Sequence, residues 1–118
     1  MSKRKDIDLI RDIKESIERI ISYTHNIEYG DFTQDYKTQD AVIRNIEIMG
    51  EAVKALSEKV KKDNSDIPWK NIAGTRDKLI HDYFGVNIDI VWNIVKGEIP
   101  ELFPKIKSIL QDMKEENG

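Results

Sequence analysis

Apolar positions along this chain recur at three- and four-residue steps, the period of one helix face rather than of a strand. Over residues 4–29, Ile7, Ile10, Ile13, Ile17, Ile20 or Ile21, Thr24 and Ile27 form a stripe, and Asp6, Asp8, Arg11, Lys14, Glu15, Glu18 and Arg19 fill the other faces. That spacing predicts a first long helix. His25 near its end is expected to cap or solvate that end. Gly30-Asp31 interrupts the pattern and predicts a turn, with Phe32 to Tyr36 as a short helical entry capped by Thr33 or Asp31. A second long helix is expected over about residues 38–62, with Ala41, Val42, Ile46, Met49, Val53, Leu56 and Val60 as its stripe. Gly50 inside it costs about 1 kcal/mol against alanine, which suggests a closely approaching backbone. Arg44, Glu47, Glu51 and Lys54 stand at surface ion-pair spacing.

Lys61 to Asp66 reads as a polar loop, and Pro68 as the first position of a short helix through Ala73, with Trp69 and Ile72 packing inward. Gly74-Thr75 is expected to reset the direction, Thr75 capping a further helix that ends before Gly85. Asn87 or Asp89 then starts a helix carrying Ile90, Val91, Trp92, Ile94 and Val95, closed by Gly97. Pro100 opens the last helix, through about Met113, with Leu102, Phe103, Ile106, Ile109 and Leu110 apolar, and Lys114 onward is expected to fray. No strand alternation or internal repeat is visible. The expected fold class is all-α: two long antiparallel helices with shorter helices laid against them, in one domain spanning residues 1–118.

Composition narrows the chemistry. The 118 residues include no cysteine, which removes disulfides, thiolate zinc sites and a cysteine nucleophile. The start of the chain is basic but lacks an apolar signal core, and no apolar run reaches membrane-spanning length, so a cytoplasmic location without membrane contact is expected. A net charge of −3 argues mildly against broad, non-specific nucleic-acid binding. A local run of Lys54, Lys59, Lys61, Lys62, Lys70, Arg76 and Lys78 reads either as a basic patch or as solvated helix faces. No nucleotide-binding glycine motif, zinc-helix motif or calcium loop is present, and no metal site or cofactor is expected.

The richest constellation is Arg76, Asp77, His81 and Tyr83. At about 100° per residue, Tyr83, Ile80, Phe84, Asp77 and His81 fall on the same half of the helix as Arg76, with Lys78 and Asp82 opposite and Leu79 near 300°. Charged groups on a packing face need partners. A histidine exchanges protons near neutral pH, Asp77 one turn earlier can orient it, and an arginine fork suits phosphate. Together they suit cleavage of RNA by its own 2′-hydroxyl, a base taking the hydroxyl proton and the arginine stabilising the charged transition state. The plainer alternative is an arginine in an ion pair beside a satisfied histidine. A two-fold dimer would bring two such helices to one cleft.

Arg76-x4-His81-x-Tyr83 resembles the Rx4HxY signature of the HepT-like branch of the HEPN superfamily. The resemblance extends over Gln39 to Ala52, Ile67 to Val86, Val91 to Val95 and Ile99 to Leu102. It implies a dimeric helical bundle with the motif helices lining a shared cleft, and a metal-independent endoribonuclease acting as the toxin of a toxin–antitoxin pair of type VII character. Arg76 and His81 would be catalytic and Asp77 accessory. The antitoxin would be an MntA-like minimal nucleotidyltransferase, forming a homodimer-based or larger complex and silencing the enzyme by moving AMP from ATP onto Tyr83. AMP there would place phosphate charge beside Arg76. The competing expectation is a non-catalytic helical partner or regulator of a nucleotidyltransferase; another is a tetrad that only holds a dimer together.

Overall fold

The computed structural model describes residues 5–81 and 87–117, apart from the side chains of Arg76, Ile80, His81 and Asn117. Among them every regular element is helical, as the periodicity predicts: α1 (Asp6–Thr24), α2 (Tyr29–Phe32), α3 (Tyr36–Ala55), α4 (Glu58–Asp63), α5 (Trp69–His81), α6 (Ile88–Asn93), a π-helical turn (Ile94–Glu98) and α7 (Ile99–Asn117). The helices form an all-α bundle in which α1 packs along α3 and α7, and α5 lies against α3.

The α1 stripe is the expected one. Ile10, Ile13, Ile17 and Ile20 are fully buried, while Ile21 is exposed. The helix is shorter than the 4–29 expectation at its C-terminal end. His25 leaves helical geometry as an exposed end residue, and Asn26 turns the chain at φ 59, a left-handed conformation that asparagine tolerates. The turn therefore falls before Gly30-Asp31, which sit inside α2. The short helix comes earlier than expected, with Glu28 rather than Thr33 or Asp31 at its N-cap, and α3 is capped by Asp35, whose carboxylate accepts from the Thr38 N–H at 3.1 Å and the Thr38 hydroxyl at 2.6 Å.

The second long helix is two helices. It stops at Ala55, Leu56 takes an extended conformation, and Ser57 caps α4 through Oγ accepting from the Val60 N–H at 3.3 Å. The cause is remote in sequence. The Asp6 carboxylate at the start of α1 accepts from the Ser57 N–H at 2.9 Å and its hydroxyl at 2.7 Å. These bonds place the end of α3 beside the beginning of α1, so the two long helices run antiparallel. Leu56 and Val60 still point inward, so the break costs no burial.

Three other expected boundaries are absent. Helix α5 runs unbroken through Gly74 and Thr75, and the Thr75 hydroxyl donates to the Asn71 carbonyl at 2.8 Å within the helix instead of capping a new one. Gly97 does not close α6. The π-helical turn carries the chain straight into α7, and its extra residue keeps Val91, Ile94, Val95 and Ile99 all buried on one side. Helix α7 continues past Met113 to Asn117, so the expected frayed tail is mostly helical.

Candidate active site

Helix α5 begins where the Pro68 carbonyl accepts from the Ile72 N–H at 3.1 Å. Its entry is fixed by the Trp69 indole N–H donating to the Asn64 carbonyl at 3.1 Å. Trp69 is buried, and Ile72 and Ala73 pack partly against the core. Ile72 and Thr75 also line a small apolar cavity with Ile46 and Met49 of α3 and Ile99 and Leu102 of α7. The helix that carries the motif is thus seated on two neighbours.

This continuous helix holds Arg76, Asp77 and His81 on one rigid element, His81 one helical turn after Asp77. The side chains of Arg76 and His81 lie outside the described residues, as does Tyr83 entirely. Asp77 is described, and the structure corrects the helical wheel around it. Leu79, expected off the packing half, is buried at 7 % exposure. With Trp69 and Ile72 it sets a core-facing stripe displaced from Asp77. The local wheel missed this because the stripe is fixed by residues upstream of the motif. Asp77 instead stands at the helix edge with its side chain 42 % exposed, where it accepts from the Lys54 ammonium of α3 at 2.6 Å.

Lys54 is the residue that the motif spacing could not find. Its sequence neighbours suggested a pair within α3, and nothing 23 positions away signalled Asp77. Other members of the basic run are held by carboxylates too. Lys59 bonds Asp63 at 2.9 Å, which raises its pKa above the ordinary 10.5, and Lys61 lies 3.8 Å from Glu58. Lys62, Lys70 and Lys78 are exposed. Lys54, Lys59 and Lys61 are thus in ion pairs, and the Arg76 side chain lies outside the described residues. Among the described residues no group of three or more histidine, aspartate or glutamate side chains is placed to hold a metal ion.

Residues 82–86 lie outside the described residues, which resume at Asn87. Asn87 caps α6, its side-chain oxygen accepting from the Asp89 N–H at 3.0 Å. The Tyr29 hydroxyl donates to Asp89, and that bond, followed by desolvation and the carboxylate's charge, raises the Tyr29 pKa above 10.0. Tyr29 also packs edge-on to Trp92, with Phe32 on Trp92 at 5.1 Å and the Lys96 ammonium 4.8 Å from the Trp92 ring centre. Helix α5 is thus bridged to α3 by the Lys54–Asp77 pair, and α6 to α2 by the Tyr29–Asp89 bond.

The chain belongs to the ribonuclease HepT-like family, whose model matches residues 13–109, and it is an enzyme of the ribonuclease class. It is similar to "Putative RNase MJ0127" of Methanocaldococcus jannaschii, 42 % identical over 115 residues that cover 97 % of this chain and 95 % of the relative. It is 46 % identical to "Probable ribonuclease HepT" of Thermococcus cleftensis over 107 residues, 91 % of this chain and 97 % of that one. It is also 43 % identical over 111 residues to "Gamma-glutamylcyclotransferase and putative RNase MJ0434" of M. jannaschii, covering 93 % of this chain and 50 % of that longer protein. No solved structure matches the chain significantly. Among the described residues no helix is long and apolar enough to cross a membrane.

Proposed function

We propose that this chain is a metal-independent endoribonuclease, one HepT-like domain over residues 1–118 that works as a homodimer in the cytoplasm. In this reading His81 takes the proton of an RNA 2′-hydroxyl as its oxygen attacks the adjacent phosphorus. The 5′-oxygen leaves, taking up a proton, and a 2′,3′-cyclic phosphate remains. Arg76 stabilises the charge that gathers on the phosphorane-like transition state, and Asp77 assists. Two copies of α5 across a symmetry axis supply two arginines and two histidines to one groove. The enzyme is the toxin of a type VII-like pair. An MntA-like nucleotidyltransferase silences it by transferring AMP onto Tyr83, alone or in a larger complex with the toxin dimer.

The observation that supports this reading is the single uninterrupted helix under Arg76, Asp77 and His81, within the stretch that matches the ribonuclease family. A rigid element holds acid–base and phosphate-binding groups at constant separation, which loops do less well. The test is RNA digestion by wild-type and His81→Ala protein with a chelator present. The wild type is expected to cut RNA and leave cyclic phosphate ends, and the variant to leave RNA intact while keeping its fold and dimer. Equal cleavage by both proteins, or cleavage that the chelator stops, refutes the assignment. Treating the protein with the nucleotidyltransferase and ATP is expected to add AMP to the wild type and not to Tyr83→Phe.

A further inference from the structure

From the contact that α3 makes with the motif helix, we infer that Lys54 is a positioning residue of the ribonuclease site, acting through Asp77. The Lys54 ammonium reaches the Asp77 Oδ1 at 2.6 Å, and the two side chains are 40 % and 42 % exposed. Lys54 stands in the last turn of α3, on an element that α5 packs against along its length. Asp77 directly follows Arg76 and precedes His81 by one helical turn. An ion pair to a neighbouring helix narrows the rotamers that a half-exposed carboxylate samples. The Lys54 ammonium on α3 therefore restricts the orientation of Asp77 and offsets its negative charge at the position next to Arg76.

The pair is poorly suited to a stabilising role. Exposed lysine–carboxylate pairs contribute little to folding because solvent screens them and ordering a long side chain offsets the attraction. The α3–α5 contact has its own apolar support in Met49, Ile46 and Ile72, which line one cavity. A lysine in the last turn of a helix also interacts favourably with the carbonyl end. That effect would alter stability, whereas a positioning effect alters turnover.

The inference rests on the ribonuclease reading of Arg76, Asp77 and His81, and the test separates the two. Turnover on an RNA substrate is measured for wild type, Lys54→Met, Lys54→Arg, Asp77→Asn, the Lys54→Met/Asp77→Asn double variant and His81→Ala. Lys54→Met is expected to lower kcat about ten-fold with KM and Tm close to wild type. Lys54→Arg restores most of the rate, because its fork still reaches a carboxylate. Adding Lys54→Met to the Asp77→Asn protein produces no further loss, since the group it acts through is gone. Should Lys54→Met fail to fold, Lys54→Gln carries the same expectation. Full kcat in Lys54→Met, a loss confined to KM, or an equal loss in the Asp77→Asn background overturns the positioning role while inactive His81→Ala leaves the ribonuclease reading standing. Wild-type cleavage by His81→Ala overturns that reading and this inference with it.

Discussion

Gly74→Ala tests the continuity of the motif helix directly. The sequence pattern places a change of direction at Gly74-Thr75, and the structure runs α5 straight through it from Trp69 to His81. A Cβ built on Gly74 meets nothing within 4 Å, and the residue is exposed. Alanine there introduces no clash and removes no contact. What changes is backbone entropy and helix propensity, which favour alanine over glycine inside a helix by about 0.8–1.0 kcal/mol. For a chain of this size that raises Tm by roughly 4 °C, and at an m-value of about 2 kcal/mol per molar urea it moves the midpoint up by roughly 0.5 M. The assay is urea unfolding at one fixed protein concentration, since association with itself or a partner shifts apparent stability. The m-value is expected to stay constant. A midpoint that falls, or does not move, refutes a helix through residue 74 and restores the break that the sequence pattern suggests.

Three further outcomes are expected. Asp6→Ala removes both acceptors of Ser57 and destabilises by about 2 kcal/mol, within the range for hydrogen bonds to a charged group; urea midpoints for Asp6→Ala, Ser57→Ala and the double variant should show coupling, and strict additivity contradicts the Asp6–Ser57 bonds. Asn45 is 5 % exposed, its Nδ2 donates to the Ala41 carbonyl at 2.9 Å, and its Oδ1 has no hydrogen-bond partner among the described residues, so Asn45→Leu is expected to leave Tm unchanged or raise it, a drop of several degrees counting against this account. The Thr38 hydroxyl, then its N–H, holds the Asp35 carboxyl below its ordinary value of 3.8. A depressed pKa contributes stability above the unfolded value that is lost as pH falls through the folded one. The acid limb of Tm against pH should therefore flatten in Asp35→Asn, which keeps a cap without a titrating group, and an unchanged limb speaks against the assignment.

Much of this protein is written in successive residues. The stripe from Ile7 to Thr24 places α1 against the core because each position depends only on residues three or four away. The same local logic puts Arg76, Asp77 and His81 on one helix, and the spacing of arginine, histidine and tyrosine is legible without any coordinates. Where elements stop was not legible. Ser57 resembles any mid-helix serine until Asp6, 51 residues earlier, takes its N–H and hydroxyl. Gly74 and Gly97 resemble terminators until neighbouring helices hold the chain in helical or π-helical form through them. The partner of Asp77 belongs to the same category. Helical periodicity is a property of neighbours along the chain, whereas a cap, a break or an ion pair across two helices is decided by which groups the packed bundle brings within hydrogen-bond reach.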